Sequence, residues 1–335
     1  MTETIPAVPG PGADAAVAWH YGDPLREQRV LTTGAGLVDR SNRDVLVVPG
    51  EDRLPWLHSI CSQHVSDLAD GDSTEALVLS PHGHVEQHWQ VTELDGQVWL
   101  DTEPGGGAPS LEYLQKMRFL KRVEPADVTS DWAVLSLVGP RVADVLSAAG
   151  LPTPEAGRAA RLDGEGSGFV RGMAWPGASA VDLLVPRADA DRIRKRLLDA
   201  GAEPAGLWAF EALRVEARRP RLGYETDHRT IPHEVGWIGS AVHLNKGCYR
   251  GQETVARVHN LGKPPRRLVL LHLSGDSEEL PPAGTPVLLG ERQVGFLGTA
   301  LHHYELGPIA LAVIKRSLPD DAALTVAGSA VAIDA

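Results

Sequence analysis

The chain has 335 residues, long for a single domain, and its 43% apolar share is that of a soluble globular protein with material for a sizeable core. Lys and Arg number 32 against 44 Asp and Glu, a net charge of −12, which argues against a protein that grips nucleic acid mainly through phosphates. No run of about 18 apolar residues marks a membrane span; the first fourteen residues lack the basic and apolar regions of a secretory signal, and two widely separated cysteines build no disulfide framework, so a reducing cytoplasm is expected.

Three segments share one rhythm: an apolar strand, a Pro or Gly break, then an amphipathic helix. They are 44–50 with 53–60, 133–140 with 142–149, and 181–186 with 189–200. Runs of leucine and β-branched residues stopped by Pro or Gly predict buried strands. In the third helix Ile193, Leu197 and Leu198 line one face among Arg192, Arg194, Lys195 and Arg196. Hairpin pieces 76–80 and 85–91 join through Pro81-His82-Gly83, and 91–100 turns at Asp95-Gly96, a strong hairpin signal. The basic stretch Lys116-Met117-Arg118-Phe119-Leu120-Lys121-Arg122 reads as the solvated face of a helix. Gly105-Gly106-Gly107 and Gly164-Glu165-Gly166-Ser167-Gly168 lack dinucleotide-binding spacing and read as loops.

A helix over 207–218 sets Leu207, Phe210, Leu213, Arg214 and Ala217 near one side. From Arg267 the texture changes to short strands, at 267–273, 285–289, 293–297, 309–314 and 324–326, separated by Pro and Gly. Such spacing without long helices predicts a small β-barrel, with 262–265 as linker. Hairpin strands mixed with strand–helix units predict α+β domains rather than a doubly wound sheet. The expected domains are 20–130, 131–262 and 263–335.

Just before that linker stands Lys246-Gly247-Cys248-Tyr249-Arg250-Gly251-Gln252-Glu253, with one of the two cysteines. A thiol does chemistry as thiolate, a form favoured by Lys246, by Arg250 and by the positive end of a helix starting near Gln252. A small buried hydrophobe in a glycine turn is the alternative reading. Cys61, near the end of the apolar helix 54–60, has only His58 and His64 as expected partners.

The octapeptide resembles the K-G-C-Y-x-G-Q-E signature of the YgfZ-type folate-binding proteins, relatives of the glycine-cleavage aminomethyltransferase (T-protein) that help maintain iron–sulfur enzymes. The resemblance runs from about residue 36 to the C-terminus. It implies a three-domain ring of two mixed α/β, ferredoxin-like domains and a small C-terminal β-barrel around a central tetrahydrofolate pocket. It implies Cys248 and Lys246 as the reactive pair, and Tyr249, Arg250, Gly251, Gln252 and Glu253 beside the folate. Leu213-Arg214-Val215-Glu216-Ala217 matches the L-R-x-E-A helix of T-protein relatives, which makes Arg214 a folate contact; a surface ion pair with Glu211 is the alternative. Ile231-Pro232-His233-Glu234 continues the family register and brings in Glu234, against the plain reading of a solvated loop residue.

Two departures from the transferase stand out. Its G-G-x-x-D-D stretch becomes Gly83-His84-Val85-Glu86-Gln87-His88, with no aspartate at either final position and Glu86 on the opposite side of a strand. Its T-G-E-D-G turn becomes Pro176-Gly177-Ala178-Ser179-Ala180. Both speak against glycine-cleavage chemistry. The histidines at 82, 84 and 88 do not converge on a strand, so no metal site is expected. The expectation is a cytoplasmic tetrahydrofolate-binding protein that assists assembly or repair of iron–sulfur enzymes. Its partners would be folate and those enzymes or their assembly machinery, with no direct nucleic acid and no membrane. A folate-dependent one-carbon transferase or demethylase is the alternative.

Overall fold

The computed structural model describes residues 7–162, 168–176, 179–275 and 279–334. The glycine loop at 164–167 and Gly177-Ala178 of the altered transferase turn lie outside the described residues. In chain order the elements begin with β1 (Val8–Pro9), β2 (Ala18–His20), α1 (Pro24–Thr33), β3 (Gly36–Asp39), β4 (Asp44–Pro49) and α2 (Arg53–Ile60). There follow β5 (Ser73–Leu79), β6 (Val85–Leu94), β7 (Gln97–Thr102), α3 (Gly107–Lys116), β8 (Ala126–Asp127), β9 (Trp132–Val138) and α4 (Val142–Ala148). Next come β10 (Ala159–Arg161), β11 (Phe169–Met173), β12 (Ala180–Pro186), α5 (Ala190–Asp199), β13 (Glu203–Ala205), α6 (Leu207–Glu216) and α7 (Gln252–Leu261). The chain closes with β14 (Arg266–Leu273), β15 (Pro286–Leu289), β16 (Arg292–His303), β17 (Gly307–Lys315), β18 (Leu324–Val326) and β19 (Ser329–Ile333).

These elements form two compact units, one of Met1–His58, Val65–Glu75 and Trp89–Leu213, the other of Ser59–His64, Ala76–His88 and Arg214–Ala335. In the first, a six-stranded sheet has the order β10-β11-β12-β9-β3-β13, antiparallel except where β13 runs parallel to β3. A five-stranded sheet has the order β5-β6-β7-β4-β8. Every residue of β9 is buried because both faces of that strand are covered. Ala133, Leu135 and Leu137 face a core completed by Val142, Val145 and Leu146 of α4 and by Ile193 and Leu197 of α5. The alternate residues Trp132 and Val134 join Val45 and Trp99 on the other side, with the Trp99 and Trp132 rings 4.4 Å apart. The period of two along the strand thus builds both layers of the core.

That second layer also holds buried charge. Arg171 bonds Asp101 at 2.5 Å and Asp182 at 2.8 Å, Arg43 bonds Asp101 and Glu103 at 2.7 Å each, and Arg40 reaches Asp182 at 3.3 Å. Ser136 donates its hydroxyl to Asp182 at 2.6 Å. Burial alone would raise the Asp101 carboxyl, yet Arg171 and Arg43 hold it down at about 2. Three arginines against three acids leave the network neutral, which is what lets it sit inside.

The second unit contains a closed barrel of order β14-β17-β16-β15-β18-β19, as the strand spacing predicts. Val269, Leu271, Val287, Leu297, Ala312 and Ile314 fill its interior. The predicted helices and the Asp95-Gly96 hairpin are present, Asp95 and Gly96 both having positive φ. The basic stretch corrects its reading: α3 ends at Lys116, and the residues after it lie in turns with Phe119 and Leu120 exposed. Phe119 has a φ of +45°, a conformation that no helix contains. Among the described residues no helix is long and apolar enough to cross a membrane.

Candidate functional site

The octapeptide lies in the second unit, and glycine sets its position. Gly251 caps α7 with a φ of +83°, and a Cβ there would stand 2.6 Å from the Ser80 carbonyl oxygen and 2.9 Å from Gly83 Cα. A Cβ on Gly83, at φ +79°, would stand 2.7 Å from Thr254 Cβ. The loop therefore meets the Ser80–Gly83 turn backbone to backbone, an approach only glycines permit. Gln252 and Glu253 open α7, where the acidic side chain suits the helix N-terminus. The same approach joins Arg250 to Glu86 at 2.8 Å, both partly exposed.

Lys246 is only 5% exposed, and its ammonium donates to the carbonyl oxygens of Cys61 at 2.6 Å and Gln63 at 3.0 Å. Burial lowers its pKa, with the Cys61 thiol opposing the shift. Burial also pushes the Cys61 thiol up, here with Lys246 opposing. The sequence reading set Lys246 against Cys248; the fold sends its ammonium to the Cys61–Gln63 loop instead. Buried carbonyls need donors, and a long flexible side chain with three N–H groups supplies them. Cys61 likewise departs from its reading, since it lies beside Lys246 and donates its S–H to the Gln63 carbonyl at 3.6 Å.

Tyr249 packs into a cluster with Leu77, Leu79, Val235, Trp237 and Val255, and the Lys246 ammonium stands 5.1 Å from its ring centre. Burial, with the Cys61 thiol adding, pushes its hydroxyl up to about 12. The ring is thus committed to the core, where the resemblance set it beside a pterin. Between these two anchors Cys248 is exposed. The arrangement holds a thiol toward solvent on a loop whose neighbours are fixed. For a carboxylate-bearing ligand the fitting group on this loop is Arg250, which already holds a carboxylate, that of Glu86.

Arg214 and Glu234 are brought into separate networks. Arg214 is 2% exposed, bonded to Glu225 at 3.1 Å and to the Thr299 hydroxyl at 2.5 Å. Glu225 in turn accepts from the backbone N–H groups of Arg221 and Thr299, at 2.7 Å each. Within the second unit this clasps Arg214 to the barrel strand that carries Thr299, so the guanidinium makes no surface ion pair. Glu234, 3% exposed, accepts from the Ile231 N–H at 3.1 Å and from Arg266 at 2.7 and 2.8 Å, so it is no solvated loop residue.

At the start of β6, Glu86 is exposed, Gln87 half-buried and His88 buried, so burial deepens along the strand rather than alternating. His88 stacks on Trp237 with ring centres 4.9 Å apart. Among the described residues no group of three His, Cys, Asp or Glu could hold a metal ion. Sequence reasoning missed Trp237, Ser62 and Gln63. Ser62 donates to the Ala241 carbonyl at 2.6 Å and Gln63 to that of Ser240 at 2.7 Å, linking two segments nearly 180 residues apart. A polar pair directly after the apolar helix 54–60 was the only available signal.

The model of the GCVT N-terminal domain matches residues 12–246, ending at Lys246. The aminomethyltransferase of Symbiobacterium thermophilum is 28% identical over 295 residues, which cover 83% of this chain and 78% of that protein. The aminomethyltransferase of Rubrobacter xylanophilus is 30% identical over 301 residues, covering 86% and 77%. The crystal structure of glycine cleavage system aminomethyltransferase T from Bartonella henselae superposes with a TM-score of 0.87 at 20% identity, covering 98% of this chain and 93% of that one. The mixed α/β sheets and closed six-stranded barrel are the fold of that transferase.

Proposed function

The chain belongs to the family of the GCVT N-terminal domain, and from that premise we propose that it is a tetrahydrofolate-binding protein that assists assembly or repair of iron–sulfur enzymes, with Cys248 as its reactive thiol. The observation that carries this reading is the exposed Cys248 held between a buried Lys246 and a buried Tyr249. Arg250 would exchange the Glu86 carboxylate for one of the folate's, through a charge-assisted bond. Bound tetrahydrofolate would supply a carrier for a one-carbon group. Folate, the iron–sulfur enzymes or their assembly machinery, and a cytoplasmic setting complete the proposal. Two cysteines cannot alone supply the usual four-thiolate cluster set, so any cluster contact would be shared with a partner.

The second reading is a folate-dependent one-carbon transferase or demethylase, favoured by the aminomethyltransferase names of the relatives. Against it stand Gln87 and His88, where the resemblance places the transferase aspartates. The deciding experiment complements cells lacking the protein with Cys248→Ser and measures an iron–sulfur enzyme. Lost enzyme activity with tetrahydrofolate binding intact supports the thiol's role, and full activity overturns it. Release of ammonia from an aminomethyl donor, at the rate of a true aminomethyltransferase, establishes the second reading instead.

A further inference from the structure

Within the second unit lies a groove of about 990 Å³, bounded by the Asp227–Arg229 loop, the linker ahead of β14, the start of β16 and the end of β17. That volume suits a small-molecule site. Its charged lining consists of five cations and two carboxylates. Arg266 engages both carboxylates, Asp227 at 2.7 Å and Glu234 at 2.7 Å. Burial works against its charge, but Glu234 and Asp227 push its pKa above the usual arginine range.

Four cations remain: Arg229, Lys263, Lys315 and Arg316. Among the described residues none of them has a carboxylate partner. Arg316 donates through Nε to the Pro264 carbonyl at 3.1 Å and through its backbone N–H to that of Pro265 at 2.9 Å, strapping the linker to the rim. Among the described residues its two terminal nitrogens have no hydrogen-bond partner. Lys315 stands directly opposite Arg266 in the β14–β17 ladder, and Arg266 is already matched by its two carboxylates. The chain as a whole carries −12, so this concentration of positive charge runs against its composition. A bound anion would be drawn by the four cations that no carboxylate matches.

The geometry points to a binding site for a linear polyanion of the phosphate class, a di- or triphosphate either free or carried on a nucleoside. Lys263 and Lys315 act as point charges, while the guanidinium groups of Arg229 and Arg316 present paired N–H donors to phosphate oxygens. Phe296 and Pro264 form an apolar wall of the same groove, suited to a base at the end of the phosphate chain. The groove shares no lining residue with the 246–253 loop, and its anion chemistry is argued without the thiol.

The test is calorimetry on the full chain with sodium tripolyphosphate, ATP and sulfate at matched ionic strength. Tripolyphosphate should bind with a Kd below about 1 mM, raise the melting temperature, and exceed sulfate in affinity. Lys263→Ala/Lys315→Ala should weaken it by about tenfold or more, equivalent to 1.4 kcal/mol. The unliganded double variant should melt close to the parent, since among the described residues neither lysine has a carboxylate partner to lose. Should it fail to fold, Lys263→Gln on the exposed linker carries the same comparison. ATP tighter than tripolyphosphate identifies the nucleoside ester, equal affinities identify the free phosphate chain, and both support the site. No heat with either, unchanged affinity in the variants, or equally tight binding of an oligo-γ-glutamate of matched charge overturns it.

Discussion

Lys246→Met keeps the length of the side chain and removes its ammonium. The carbonyls of Cys61 and Gln63 then lose donors at 2.6 and 3.0 Å in a site where the lysine is 5% exposed. Leaving a buried acceptor unpaired costs about 1–3 kcal/mol, so the two together lose roughly 2–6. The lost ammonium–ring contact with Tyr249 adds about 0.5–2 kcal/mol. Opposing this, the variant no longer buries a charge, a relief of several kcal/mol. The balance is a destabilisation of about 2–4 kcal/mol, a fall in Tm of roughly 3–6 °C for a chain of 335 residues. Scanning calorimetry reads the fall directly, and parallel alkylation should find Cys61 newly accessible while Cys248 labels as before. An unchanged Tm together with slower labelling of Cys248 would refute this reasoning and return Lys246 to the thiol.

Gly251→Ala should destabilise by roughly 2–4 kcal/mol, from left-handed backbone strain and the 2.6 Å approach to the Ser80 oxygen; an unchanged urea midpoint would contradict the close backbone approach. Iodoacetamide should label Cys248 in the folded protein and Cys61 only after denaturation, since the first is exposed and the second buried with its pKa raised by burial; equal rates would contradict this. Asp101 has a folded-state pKa of about 2, below the unfolded value, so its contribution to stability is complete above about pH 4 and lost as pH falls toward 2, amounting to about 2–3 kcal/mol. Asp101→Asn should remove that part of the acid transition and cost about 3–5 kcal/mol at neutral pH, because Arg171 and Arg43 lose their shared partner; an acid profile matching the parent's would count against the network.

Where local pattern decides structure, the sequence was readable. The apolar runs at 133–138 and 181–185 carry their own stops, and the barrel strands are set off by Pro and Gly. β19 escaped because Ser329-Ala330-Val331-Ala332-Ile333 is mostly small residues with weak strand preference. The short β10 and β13 escaped because sheet pairing, rather than their own composition, makes them strands. The site was read in part. Glycine spacing located the loop and the start of α7, since backbone conformation is local. The destination of each charged side chain was not, because it is set by partners far away in the chain. Lys246 meets Cys61 across 185 positions, and Arg214 meets Thr299 across 85. Adjacency to Cys248 suggested a role for Lys246 that burial then assigned elsewhere. Asp182 gave no sign of its part either, since one aspartate in an apolar strand reveals nothing of the arginines that neutralise it.

The most direct test of the central claim is a calorimetric titration of the full chain with tetrahydrofolate. The account predicts binding at micromolar affinity or better, about −8 kcal/mol, with a matching rise in melting temperature. Absence of both heat and thermal shift at millimolar ligand would contradict it.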